Sequence, residues 1–407
     1  VKTIKVIYDL EVIGNTYKID QSGVYRVAYE ILKNFLNNEK LKVLYTFFNF
    51  NNRQEIQNKI DCFISENNFI IQQANTCERV KFIPFRKEKP FRKLYNKVGI
   101  FDFKIKFNEE IKDSQIYHSL YYPIHKSLDQ FPKLKKVVTI HDLIPILFPH
   151  YNANTDILEK TIRSIGKDNY AICVSENTKR DLLKYAPYIN PDKVFVSLLA
   201  ASSDLFYKCD DKIKFAEIKR KYNIPDKYFL SLSTLEPRKN IDYVIRSFIK
   251  MITEKKVDDL SLVLVGKKGW DFEKIFQEYE NAKELKSRII ITGRIPDDDL
   301  ACIYSNANSF YYMSFYEGFG LPPLEAMQCG LPSVVSNTSS LPEVVGDAGI
   351  LLDPKDQLAL TQNMWKLYSD ENYRSEMSLK SIEQSKKFSW EATVQQHVDI
   401  YRQIILS

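Results

Sequence analysis

Two rhythms of apolar and polar positions alternate along the chain. Ile4 to Tyr8 is a short apolar run that predicts a strand, and a polar loop follows it, ending in Gln21, Ser22 and Gly23. Beyond the loop, Val24, Val27, Ala28, Ile31, Leu32, Phe35 and Leu36 recur at the i, i+3, i+4, i+7 spacing of an amphipathic helix. Runs of the first kind predict further strands at Val43 to Phe47, Ile116 to His118, Lys136 to Ile140, Tyr170 to Val174 and Val194 to Leu198. Ser175 reads as the cap of a helix running through Lys179 to Tyr185. The second half repeats this grammar, with strands at Tyr228 to Leu232, Ser261 to Val265, Arg288 to Thr292, Ser309 to Met313 and Ser333 to Ser336. Strands rich in Val and Ile that alternate with helices imply parallel sheets covered on both faces. Two such arrays stand in series, and the charged stretch Asp204 to Lys214 is the expected hinge between them. A capped helix at Ser389 to Ile405, with Trp390, Val394, Val398, Tyr401 and Ile405 on one side, ends the sequence.

Composition narrows the class without naming a function. The 407 residues are 44% hydrophobic and 27% charged, as in an ordinary globular chain of two or three domains. A formal charge of +6 is too mild for a dedicated nucleic-acid binder. The excess is local: Arg79, Lys81, Arg86, Lys87, Lys89, Arg92, Lys93 and Lys97 interleave with Phe82, Phe85, Phe91 and Tyr95, a stretch suited to an anionic membrane surface or to a solvated loop. The opening residues lack a secretion signal and no run reaches the length of a membrane span. The six cysteines show neither a disulfide framework nor a zinc spacing, so a reducing, cytoplasmic setting is expected.

Candidate chemistry lies in the second half. Of only 12 glycines, Gly266, Gly269, Gly293, Gly318, Gly320, Gly330, Gly346 and Gly349 fall there, which suggests that ligands approach its backbone. In Tyr311 to Met327 a strand enters a turn with Gly318 and Gly320, then a helix with Pro322 and Pro323 near its start. Backbone N–H groups and a helix N-terminus then face one point, a ready anion site, flanked by Glu317 and Glu325. Upstream, Arg238 and Lys239 also follow a strand, and together they suit a diphosphate. Asp297, Asp298 and Asp299 precede a helix and read as cap and dipole partners rather than a metal site. His141, beside Asp142, ends a strand, as do Tyr117, His118 and Ser119. Glu343 is either a donor contact or a solvated residue.

These motifs resemble the retaining glycosyltransferases of the GT-B fold, specifically sequence family 4, which includes many bacterial mannosyltransferases. The similarity is carried by Glu236 to Asn240, Leu264 to Gly269, Ile291 to Pro296 and Glu317 to Pro332, and more loosely by Ser22 to Arg26, Tyr117 to Ser119, Val138 to Leu143, Val174 to Glu176 and Phe388 to Trp390. The resemblance implies two Rossmann-like, doubly wound α/β domains facing a cleft: an acceptor domain over 1–207, a nucleotide-sugar domain over 208–387, and a helix over 388–407 that crosses back. It assigns the donor sugar to Glu317, the ribose to Glu325, and the sugar and phosphates to the backbone of Gly318, Phe319, Gly320 and Leu321. Arg238 and Lys239 would hold the diphosphate, Ile295 would meet the base, His141 would face the transferred centre, and Gly23 would let the first loop approach the phosphates. Tyr117, His118 and Ser119 are placed at the acceptor pocket.

The expected activity is transfer of a hexose, with retained configuration and without a metal or other cofactor, in surface polysaccharide synthesis. GDP-mannose is the first donor choice and a UDP-sugar the second. The acceptor is a saccharide or a lipid-linked saccharide, handled in the cytoplasm or at the inner membrane face. A metal-dependent transferase and a silent carbohydrate-binding scaffold of the same fold are the alternatives.

Overall fold

A computed structural model describes residues 3–18, 23–49, 52–79, 103–151 and 155–407. The front half begins with β1 (Ile4–Asp9), β2 (Leu41–Thr46) and β3 (Gln72–Gln73), followed by an antiparallel pair, β4 (Asn75–Arg79) and β5 (Phe103–Phe107). Then come β6 (Ile116–Ser119), β7 (Lys135–Ile140), β8 (Tyr170–Cys173) and β9 (Val194–Val196). All but the antiparallel pair form one sheet in the order β3-β2-β1-β6-β7-β8-β9, with every pairing parallel. The back half holds β10 (Tyr228–Leu232), β11 (Ser261–Val265), β12 (Ile289–Gly293), β13 (Ser309–Tyr312), β14 (Ser333–Ser336) and β15 (Ile350–Leu352). They form a second parallel sheet in the order β12-β11-β10-β13-β14-β15.

The strands carry continuous apolar runs because helices cover both faces; β11 and β13 are buried at every position. Each sheet reverses its winding once, at β1/β6 in front and at β10/β13 behind. At such a reversal the two following loops diverge to opposite faces and leave a crevice at the carboxyl edge. The loops after β10 and β13, far apart in sequence, therefore become neighbours.

The chain crosses between domains twice. After β9 it passes over to the helix Lys212–Tyr222, which packs on the helix Asp297–Asn306 of the back domain. It returns at Phe388 and Ser389, where Ser389 caps the helix Trp390–Leu406 by accepting from the Ala392 N–H at 3.1 Å. That helix lies on the front domain against Gly23–Leu36, with Phe35 and Tyr401 rings 6.1 Å apart.

Two expectations need correction, and a third is not tested. The loop after β1 contains the helix Glu11–Thr16, which buries Val12 and Ile13 under a stretch too short for periodicity to reveal. Cys209 and Cys302 form a disulfide, with Cα atoms 5.0 Å apart; at a separation of 93 residues no spacing motif announces it. It ties the middle of the expected hinge to the back domain. The basic stretch Arg79 to Lys97 lies outside the described residues except for Arg79, the last residue of β4. No helix among the described residues is long and apolar enough to cross a membrane.

Candidate active site

The turn after β10 places two cations at the crevice. Pro237–Lys239 forms a single 3-10 turn, and Asn240 in the left-handed region (φ 56°) redirects the chain into the helix Ile241–Lys255. Arg238 donates to the Tyr316 carbonyl at 2.6 Å and to Glu236 at 2.7 Å, and its guanidinium lies 2.9 Å from Glu317. Lys239 donates to Glu317 and to the Tyr312 hydroxyl, both at 2.6 Å, and Tyr312 in turn donates to Glu317 at 2.9 Å. The Phe315 N–H donates to the Arg238 carbonyl at 2.9 Å and joins the loops after β10 and β13.

The turn after β13 is held from behind. The Ser340 hydroxyl donates to the carbonyls of Glu317 (2.9 Å) and Phe319 (2.6 Å), and Ser339 accepts from the Glu317 N–H at 3.0 Å. Gly320, at φ +118°, starts the helix Leu321–Gln328; a Cβ there would also strike Leu341 at 2.8 Å. Glu325, one turn in, is buried between the Arg26 guanidinium (3.0 Å) and the Tyr304 hydroxyl (3.1 Å).

Charge within this cluster is strongly biased. Burial pushes the Glu317 carboxyl up, but Arg238 and Lys239 outweigh it and hold its pKa at about 2. Burial, with help from Arg238, pulls Lys239 below the ordinary lysine value. Burial raises Glu325 despite the nearby Arg26. His141 is driven down to about 4 by burial, against its hydrogen bond to the Leu120 carbonyl at 2.9 Å. It is therefore neutral at physiological pH, with Nε2 carrying the proton.

The front domain closes over this cluster. Ser175 and Thr178 donate to the Gly318 carbonyl at 2.7 and 3.2 Å, and a Cβ on Gly318 would lie 2.0 Å from the His141 carbonyl oxygen. Glu343 accepts the N–H groups of Glu176 and Asn177, each at 2.8 Å, capping the front-domain helix Glu176–Tyr185 from across the cleft. Glu343 is thus an interdomain clamp, neither a wall of the cavity nor a solvated residue. Arg26 bridges Glu325 and Asp297. Asp297, Asp298 and Asp299 occupy the first turn of their helix behind Pro296, where they complement its dipole, and Asp299 pairs with Lys221 at 3.0 Å.

The cleft between the domains holds a cavity of about 500 Å³, a size usual for a small-molecule site. Gly23, His141, Arg238, Lys239, Ile295, Glu317, Gly318, Phe319, Gly320, Leu321 and Glu325, drawn from widely separated parts of the sequence, all line it. Tyr117, His118 and Ser119 do not. They belong to β6 in the middle of the front sheet, so their side chains are interior. Tyr117 donates to Asp9 at 2.7 Å, His118 bridges Tyr401 (2.6 Å) and Thr139 (2.8 Å), and Ser119 donates to the Tyr122 carbonyl at 2.6 Å. Arg26 and Asp142 are lining residues that the sequence reading quoted in motifs without giving them a role.

Residues 214–386 match the glycosyl transferases group 1 family. Over 291 residues the chain is 33% identical to O-antigen chain mannosyltransferase B of Escherichia coli, covering 70% of this chain and 74% of that protein. Over 295 residues it is 30% identical to the serotype-specific mannosyltransferase WbdA of Escherichia coli, covering 71% of this chain but 36% of that longer protein. In three dimensions it is similar to HepE of Anabaena, solved in complex with UDP and glucose, at a TM-score of 0.69 and 14% identity over 98% of this chain and all of that one. The last likeness concerns the fold, two facing parallel-sheet domains of GT-B type. With 33% identity over an aligned region that spans most of a transferase of similar length, the chain belongs to the glycosyl transferases group 1 family.

Proposed function

We propose that the protein transfers a hexose, mannose by preference, from a nucleoside diphosphate sugar to a saccharide or lipid-linked saccharide, with retained anomeric configuration and without a metal ion. The observation that carries this reading is the meeting of Arg238, Lys239 and the start of the helix Leu321–Gln328 in one cavity with Glu317, Glu325 and His141. The names of the two Escherichia coli relatives favour mannose and a role in O-antigen synthesis. The UDP and glucose named with HepE favour a nucleotide-sugar donor.

Breaking the glycosidic bond leaves negative charge on the diphosphate and positive charge on the sugar. Fixed cations and aligned N–H dipoles stabilise that separation without reorganising. At rest Glu317 satisfies both Arg238 and Lys239. An arriving diphosphate takes over the two cations and releases the Glu317 carboxylate to sugar hydroxyls. Anion binding also offsets the burial that disfavours the Lys239 ammonium. His141 stays neutral and lends its unprotonated Nδ1 and its dipole to the transferred sugar. Glu325, freed from Arg26, accepts from the ribose hydroxyls.

The test is a thermal-shift screen of nucleotide sugars followed by a transfer assay on the one that binds. A bound donor at a hundred times its dissociation constant stabilises by about 2.7 kcal/mol. GDP-mannose is expected to give the largest shift, product NMR to show the donor's anomeric configuration, and a chelator to change nothing. Arg238→Ala and Glu325→Ala should each remove transfer while the protein stays folded; full activity in both ends the assignment.

A further inference from the structure

The cleft continues beyond the donor cavity. A second cavity of about 790 Å³ shares His141, Asp142, Glu236 and Arg238 with the first, so the two form one space. Its outer wall is aromatic. Tyr121 comes from beyond β6, His150 and Tyr151 from the loop after the short helix Ile144–Leu147, and Trp270 from the loop after β11. The Tyr151 and Trp270 rings meet across the domain gap with centroids 5.8 Å apart, and His150 lies 4.1 Å from Tyr151. These three residues also line a third cavity of about 680 Å³, farther from His141, whose walls include Asp242, Arg246 and Lys274. The aromatic rings therefore form a waist between an inner and an outer chamber.

That lining has a chemical meaning. A saccharide ring offers an apolar C–H face and an edge of hydroxyls, so flat side chains with polar tips, interspersed with carboxylates and cations, match it on both counts. Trp270 and Tyr121 are each 38% exposed, although solvent disfavours large aromatic surface. Among the described residues, neither the Trp270 indole N–H nor the Tyr121 hydroxyl donates to a protein group. Two chambers in series, each the size of a complete small-molecule site, exceed what one sugar needs.

We propose that the acceptor is a saccharide chain bound over several units: its end lies at His141, and the preceding units pass over Tyr151 and Trp270 into the outer chamber. This rests on the transferase reading above, and it moves the acceptor from Tyr117, His118 and Ser119 to the aromatic waist. The same contacts make the protein a reader of chain length. The reaction that supplies its substrate is then one that has already built an oligosaccharide.

The experiment titrates mannose, galactose and N-acetylglucosamine oligosaccharides of one to six units against the full chain with GDP or UDP present, following tryptophan fluorescence and calorimetry. In at least one series, affinity should rise with length. Trp270→Ala and Tyr151→Ala should weaken the longer members about tenfold and leave the single sugar unchanged, while Trp270→Phe, which keeps a ring, should preserve the length dependence. Thermal shifts with GDP-mannose and UDP-glucose should be the same in all three variants and in the parent. If no series binds, if affinity is independent of length, or if both alanine variants bind like the parent, the proposal is overturned. Failure of the donor reading is distinct: it is loss of the nucleotide-sugar shift in the parent itself.

Discussion

A neutral imidazole at position 141 has an energetic signature apart from any role in transfer. Its folded pKa of about 4 lies below the ordinary histidine value of 6.5, so between those limits the unfolded chain takes up a proton that the folded chain refuses. Stability is then fully present above about pH 6.5 and is lost as the pH falls toward 4, by on the order of 3 kcal/mol for this one group. Urea midpoints measured at pH 7 and pH 4.5 should differ less for His141→Gln than for the parent; equal differences would contradict the burial argument. His397, also held at about 4 by burial, supplies a similar slope in both proteins and cancels in the comparison. At this scale the sequence brought the right residues to one cavity wherever they sat in a contiguous strand, loop and helix, as Arg238, Glu317 and Glu325 do. It misled at Tyr117, His118 and Ser119 because residues near a strand's end can face either the crevice or the sheet's interior, and residue type does not decide which. Tyr121, a few residues on, is the one that reaches the cleft.

Among elements, the helix Glu176–Tyr185 is the clearest case of one domain completing another. Its own Ser175 caps one N–H, while the first-turn N–H groups of Glu176 and Asn177 are met by Glu343 from the opposite domain. A carboxylate at a helix start is favoured both by hydrogen bonding and by the helix dipole, and part of this is screened where the N–H groups meet solvent. Glu343→Ala should cost the closed arrangement about 1 kcal/mol, which corresponds to a donor affinity lower by about fivefold. Small-angle scattering should show a larger radius of gyration for the variant, with thermal unfolding little changed; an unaltered radius and affinity would remove the clamp from the account. The strands flanking the site, β10 and β13, were legible because a parallel strand covered on both faces is written as a nearly unbroken apolar run, here mostly of Phe, Tyr and Leu. The helix Glu11–Thr16 was not, since six residues make under two turns and show too little of the helical period, and neither was β15, a three-residue edge strand that is only partly buried.

At the level of the whole molecule, the two-domain plan follows from repetition of one grammar, and the cleft follows from where each sheet reverses. What no local pattern conveyed is how the halves are fastened. The disulfide anchors position 209 to the back domain, so the freedom expected over Asp204 to Lys214 is confined to the part before Cys209 and to the return at Phe388 and Ser389. Lys33 reaches Asp204 at 2.9 Å and steadies the other side of that short span. The closed form has almost no clearance at its centre. At Gly318 the back domain's turn lies so near the His141 carbonyl that the smallest added side chain would overlap it. Gly318→Ala is thus a doorstop: each half should fold and the rear half should still take the proposed donor, yet the jaws cannot meet. Donor affinity by calorimetry should fall only a few-fold while turnover falls on the order of a hundredfold, because groups held an ångström out of place lose about that much. A chain so wedged ajar would be the form in which to capture both substrates together, unreacted.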